Sequence, residues 1–239
     1  IVTLFAPEPR GAAPPRTLAQ AVIQPFAEFM KRRGWLLVLV FIVVFRLPDV
    51  MAGAMRMPFL QRGVGFTKEQ IGTIANSYGM FMTIVGALFG GGVVARLGLW
   101  RSLWVFAALQ ALSNFGFYML TLSGPDRAAL TVVISVENFC GGLVTAGFVA
   151  FLMSQCDRRF SATQYALLSS LMAVTGVIAG TPTGALVERA GWQTFFLVSI
   201  VMAIPGLALL PFVKPSTIDA PGTAPASRER DGFEVVASK

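Results

Sequence analysis

The stretch WLLVLVFIVVFRLPDVMAGAM (residues 35–55) decides how this chain is to be read. Its apolar run matches the about 20 residues that cross a bilayer core as helix, yet it contains Arg46 and Asp49. A second stretch of similar length, TVVISVENFCGGLVTAGFVAFLM (131–153), holds Glu137 in the same way. An ionised side chain at bilayer depth costs about 3 kcal/mol even on mild insertion scales. Chains that keep such charges place them on a bundle interior or a water-filled path, so the pattern points to a protein that moves something across a membrane.

Composition agrees. Hydrophobic residues are 55% of the 239, charged ones 13%, and the mean hydropathy is +0.68; soluble domains carry about 25% charge. Six stretches are long and apolar enough to span: 35–55, 70–94, 99–122, 129–154, 163–186 and 192–213. The expected fold is therefore an all-α membrane bundle of six helices. With no His, the commonest metal ligand and general base are missing. Cys140 and Cys156 form neither a disulfide framework nor a metal-ligand spacing. No metal and no cofactor is expected, and the absence of a nucleophile–base pair argues against an enzyme.

The net charge of +7 is distributed by topology. Arg10, Arg16, Lys31, Arg32, Arg33, Arg96, Arg101, Arg158, Arg159, Lys214, Arg228, Arg230 and Lys239 fall on one side. Arg56, Arg62, Lys68, Arg127 and Arg189 fall on the other, with Arg46 inside a span. The positive-inside bias then places both ends in the cytoplasm, and the basic excess does not imply nucleic acid as a partner.

The chain divides at residues 34 and 213. Residues 1–34 read as the end of a preceding helix (IVTLFAPEP) followed by a cytoplasmic linker, so the chain is expected to be a piece of a longer protein. AVIQPFAEFMKRRG (21–34) has the pattern of an amphipathic helix at the membrane surface, with Phe26, Phe29 and Met30 on its apolar face. Residues 214–239 are rich in Pro, Ala, Ser and charge, and are expected to be disordered.

The six spans contain a repeat. GGVVARLGLWRSLWVF (91–106) aligns with GALVERAGWQTFFLVS (184–199), pairing Gly91 with Gly184, Arg96 with Arg189 and Gly98 with Gly191. Upstream, GFTKEQIG aligns with RFSATQYA, each carrying a capping-box pattern: Thr67 with Gln70, and Ser161 with Gln164. The period is three spans, and an odd number inverts the second triplet against the first. Nested inverted triplets build the six-helix halves of major facilitator transporters. In this repeat the first and fourth spans are equivalent, and they are the two that hold interior acids.

The Gly91-x-x-x-Ala95-Arg96-x-Gly98-x-x-Arg101 loop resembles the major facilitator motif G-x-x-x-D-R-x-G-R-R between the second and third helices of a half. Ala95 stands where that pattern has Asp, so the carboxylate with which such transporters lock this loop is absent. FLQRGVGFTKEQIG (59–72), VENFCGG (136–142), SATQYALLSSLMAV (161–174) and GWQTFF (191–196) together resemble the AmpG-type muropeptide permeases. The resemblance covers residues 26–213 and is to the carboxy-terminal half. It implies proton-driven import of GlcNAc-anhydro-muropeptides, anionic sugar-peptides of cell-wall recycling that also signal β-lactamase induction, across the bacterial inner membrane. The implied partners are that substrate, protons, the lipid bilayer and the missing amino-terminal half. Two other readings stay open: a carrier of acetyl-CoA or another anionic metabolite, and a membrane scaffold that transports nothing.

Arg46 and Asp49 are three apart and share a helix face, with Pro48 between them removing a backbone donor. Either they neutralise each other as a structural pair, or a substrate carboxylate or a proton breaks the pair during transport. Glu137 has no cation within one turn. Burial disfavours the charged form of a carboxyl, which suits a proton-coupling group, with a neutral structural Glu as the rival reading. Asn138 beside it, and Gln110 with Asn114 on one face of the third span, offer hydrogen bonds to sugar hydroxyls or amides, or simply pack. Asn76, Ser77, Tyr78, Gln164 and Tyr165 are candidate cavity- or gate-lining groups. Gly86, Gly90, Gly91 and Gly92 read as a close-packing surface, and Gly180–Gly184 as a bend.

Overall fold

The computed structural model describes residues 18–157 and 160–213. The expected upstream helix end (1–9), linker residues 10–17, Arg158, Arg159 and the tail (214–239) lie outside them. A surface helix α1 (Leu18–Met30) precedes six helices long and apolar enough to cross a membrane. The first four are α2 (Trp35–Val64), α3 (Lys68–Leu97), α4 (Leu99–Ser123) and α5 (Arg127–Gln155); the remaining helical chain, which carries the other two apolar spans, is divided into α6 (residues 161–190) and α7 (residues 192–213). Helical geometry runs through Ser161–Val201 with one non-helical residue, Gly191 (φ 78°, ψ 171°), which divides α6 from α7. The bend expected at Gly180–Gly184 introduces no such break.

The repeat is visible in the backbone. Gly98, which separates α3 from α4, has φ 79° and ψ 157°, nearly the angles of its repeat partner Gly191. Both have a positive φ, where a Cβ is strained. The two capping boxes diverge. Thr67 and Gln70 form theirs, each side chain bonding the other's backbone N–H at 3.3 and 3.2 Å. Ser161 and Gln164 do not: Gln164 Oε1 instead accepts from Asp157 N at 2.7 Å, and its Nε2 donates to the Pro25 carbonyl at 3.0 Å. Gln164 is thus used to tie α1 to the α5–α6 connection. The apolar residues of α1 divide accordingly, Phe29 packing on the bundle while Phe26 and Met30 stay exposed.

Lipid supplies no hydrophobic drive between helices, so close backbone approach does much of the work. A Cβ on Gly86 of α3 would lie 2.1 Å from the Phe139 carbonyl oxygen of α5, and one on Gly142 of α5 would lie 2.4 Å from the Thr83 carbonyl oxygen of α3. Gly90 meets Leu143 and Ala146 in the same crossing, whereas Gly91 and Gly92, expected in this surface, have open space around them.

The apolar interior is split in two. One cluster holds Phe41, Phe45, Leu103, Phe106, Phe148 and Phe151; the other holds Phe59, Phe117, Leu130, Ile134 and Phe196. Between them α2, α4 and α5 contribute Arg46 and Asp49, Gln110 and Asn114, and Glu137 and Asn138. The bundle is a polar belt held between two aromatic layers.

The α3–α5 crossing is directly testable. Gly86→Ala forces the two backbones apart and is expected to destabilise by about 2 kcal/mol, as core overpacking does. Gly91→Ala is expected to be neutral or to stabilise by up to about 1 kcal/mol, the helix propensity gain. Thermal unfolding of the two variants in detergent measures the difference, and equal effects would contradict the crossing.

Candidate functional site

The belt contains two ion pairs. On α2, Arg46 Nη1 donates to Asp49 Oδ2 at 3.0 Å, and the guanidinium sits over the Phe148 ring of α5, 5.7 Å from its centroid. Pro48, buried between them, withholds the N–H that the Val44 carbonyl would receive in a regular helix. The pair expected from spacing is therefore formed, within a locally weakened helix.

The second pair corrects the sequence reading. The sequence places Arg56 in a loop following a span that ends at 55; α2 instead stays α-helical to Pro58 and continues as a π-helical turn over Phe59–Val64. Apolar hydropathy fades at Arg56, but the helix does not. Arg56 lies seven residues beyond Asp49, about two turns on the same face, and its Nη2 donates to Glu137 Oε1 of α5. Glu137 has no cation nearby on its own helix; its partner comes from a position 81 residues earlier. The Arg56 guanidinium also faces the Phe117 ring of α4 at 5.9 Å.

From Glu137 the bonds run on into α3. Asn138 Nδ2 donates to Glu137 Oε2 at 3.2 Å and to the Ile134 carbonyl at 2.8 Å. Thr83 Oγ1 lies 3.1 Å from Asn138 Oδ1 and 3.0 Å from the Gly79 carbonyl, so its one proton serves either. Gly79 ends a π-helical turn, Ala75–Gly79, a distortion frequent at functional sites. Arg56, Glu137, Asn138 and Thr83 thus join α2, α5 and α3. Asp49 lies in electrostatic range of Arg56 and of Glu137, so the two pairs act as one cluster of two guanidinium and two carboxyl groups.

Beside Asp49 is a small cavity lined by Phe45, Pro48, Gln110, Asn114 and Ala203, among others. Gln110 and Asn114 share a face as expected, and that face turns inward. Both are buried, and Gln110 Oε1 and both amide atoms of Asn114 have no hydrogen-bond partner among the described residues.

Residues 57–236 match the family model described as the Major Facilitator Superfamily. The chain belongs to the major facilitator superfamily. It is 44% identical over 211 residues to the anhydromuropeptide permease of Escherichia coli K12, covering 88% of this chain and 43% of that protein. It is 36% identical to the putative transporter AmpG 4 of Rickettsia conorii, over 80% of this chain and 46% of the relative. Against the putative transporter AmpG 1 of Rickettsia prowazekii the identity is 35%, over 75% and 40%. The chain spans less than half the length of each of these relatives.

The other anticipated residues lie away from the belt. Gly91, Arg96, Gly98 and Arg101 of the major facilitator loop are exposed at the α3–α4 turn. Neither arginine has an ion-pair partner among the described residues, in keeping with Ala95 in place of the Asp. Asn76, Ser77 and Tyr78 are exposed on the π-helical turn of α3. Gln164 is buried and committed to Pro25 and Asp157, and Tyr165 packs on the first aromatic layer, so neither lines the belt. Arg56 and Thr83 were not anticipated. The seven-residue spacing from Asp49 was the available signal for Arg56; Thr83 carries none.

The interhelical pair makes a testable demand on stability. Removing one partner of a buried pair strands a charge, whereas replacing both is often neutral. Arg56 is partly exposed, so screening reduces the effect. Glu137→Gln alone is expected to destabilise by about 2 kcal/mol, with Arg56→Met/Glu137→Gln recovering most of it. Strictly additive losses in the double variant, read by thermal unfolding, would contradict the pairing.

Proposed function

We propose that this chain is the carboxy-terminal half of a proton-coupled importer of anhydromuropeptide-type, anionic sugar-peptides across the bacterial inner membrane. The observation that carries the mechanism is the Arg56–Glu137 pair between α2 and α5, the two equivalent helices of the repeat. The resemblance to anhydromuropeptide permease supports the substrate class, and the basic-residue asymmetry supports cytoplasmic termini.

The coupling follows from charge. While Glu137 is ionised it neutralises Arg56, and the guanidinium has little attraction for an anion. A proton on Glu137 leaves Arg56 uncompensated inside the protein, which is costly. A substrate carboxylate then relieves that cost as a bidentate partner of the guanidinium. Proton and anion therefore bind together and favour one another, and the coupling is reciprocal. Loss of the proton re-forms the ion pair and expels the anion. Asn138 and Thr83 hold Glu137 in place and transmit its state to α3. Binding between two halves is the rule in this superfamily, so the exposed face of α3 is where the missing half would meet this one.

Glu137→Gln mimics the protonated state permanently. In vesicles containing the full-length protein, energy-independent exchange of labelled anhydromuropeptide is expected to survive, while accumulation driven by a pH gradient falls to background. Retained gradient-driven accumulation would remove Glu137 from the coupling role.

The orientation is checked separately. A cysteine placed at Asp126, in the α4–α5 turn, is expected to react with an impermeant thiol reagent added from the periplasm, and one at residue 220 is not. The reverse pattern would invert the topology.

A further inference from the structure

The Arg56–Glu137 mechanism does not use Gln110, Asn114 or the cavity they share with Asp49. Gln110 is 6% and Asn114 1% exposed, and three of their four amide atoms have no partner among the described residues. Two such side chains one turn apart, both lining one cavity beside a carboxylate, make a built polar site. Packing alone does not explain them, because an unsatisfied buried amide destabilises and an apolar side chain of the same shape would not.

The lining chemistry selects the occupant. A cation is met by Asp49, Gln110 Oε1 and Asn114 Oδ1, but also by the Asn114 Nδ2 donor. An anion is met by Asp49 and two amide oxygens. A neutral molecule that both donates and accepts satisfies every group present. The cavity has room for about one water molecule.

We propose that the cavity beside Asp49 is a water-binding site, and that its water, held by Gln110 and Asn114, relays protons to and from the Asp49 carboxylate. A proton arriving on the water oxygen is matched by one leaving it for an Asp49 oxygen, so the water is regenerated and Asp49 becomes neutral. The reverse transfer restores the carboxylate. The charged groups around Asp49 are Arg46 and Arg56 on its own helix and Glu137 from α5; α4 and α7 bring only neutral residues to the cavity lining. Neutral Asp49 releases Arg46, so the belt holds a second acid–guanidinium unit alongside Arg56–Glu137. The relay rests on the proton-coupled reading above; the water site does not.

The test uses the full-length protein. A high-resolution structure is expected to show an ordered water within about 3 Å of Gln110 and Asn114. In the variant Gln110→Met/Asn114→Leu the melting temperature is expected to fall by about 2–4 °C, because a satisfied network has been removed. No water peak, or a melting temperature that rises as it would on removing orphaned amides, overturns the site. Gradient-driven uptake in vesicles is expected to fall by about tenfold in this variant, the rate effect of one lost hydrogen bond, with energy-independent exchange kept. Unchanged gradient-driven uptake overturns the relay. If the variant does not fold, the water peak in the unsubstituted protein decides the site, and Asn114→Ser, which keeps a hydroxyl, decides the relay by retaining uptake. Failure of the Glu137 mechanism is distinguishable, since Glu137→Gln leaves the water peak in place.

Discussion

Inside a bilayer no water is available to solvate a charge, so every ionised group at that depth has to be neutralised by the protein itself. The rest of this structure follows from how that demand is met. Two guanidinium and two carboxyl groups lie in one belt, two of them paired along α2 and two across α2 and α5. The aromatic layers on either side confine the belt, and Phe148 and Phe117 present ring faces to the two arginines. Close approach of α3 and α5 at Gly86 and Gly142 is what brings Thr83 within reach of Asn138. Packing and electrostatics are therefore one arrangement: loosening the glycine crossing moves the hydrogen-bonded support of Glu137.

A neutral belt has a further property. Any change in charge of one member is felt by the others, because the groups lie close together and are largely buried. In the proposed mechanism protonation of an acid frees its arginine, and an incoming anion displaces an acid, so that each event makes the other less costly. A symporter needs no more than that from its binding groups, provided the helices bearing them can shift. The proline beside Asp49 and the π-helical turns of α2 and α3 are the places where the helices that carry the belt depart from regular hydrogen bonding.

Much of this was legible in the residues. Hydropathy gave six spans, the repeat gave their inverted pairing, and Gly98 and Gly191 adopt matching backbone angles at the aligned positions. Local rules succeeded where the partners were local, as at Arg46–Asp49 and the Thr67 capping box. They failed where a distant residue competed. Gln164 bonds Pro25 rather than closing a box with Ser161, because a carbonyl of α1 and the Asp157 N–H were both within reach. The sequence puts Arg56 in the loop after a span ending at 55, because apolar character, not helical geometry, stops there. The inward turn of Gln110 and Asn114 was invisible for a similar reason: spacing fixes that two residues share a face, and only the packed bundle fixes which way that face points.

The central claim is that an anion and a proton enter the belt together through Arg56 and Glu137. The most direct measurement is proton uptake on binding, by titrating anhydromuropeptide into the full-length protein in detergent, in buffers of differing ionisation enthalpy. The expected result is uptake of about one proton per substrate bound, lost in Glu137→Gln. A binding enthalpy independent of buffer in the unsubstituted protein would contradict it.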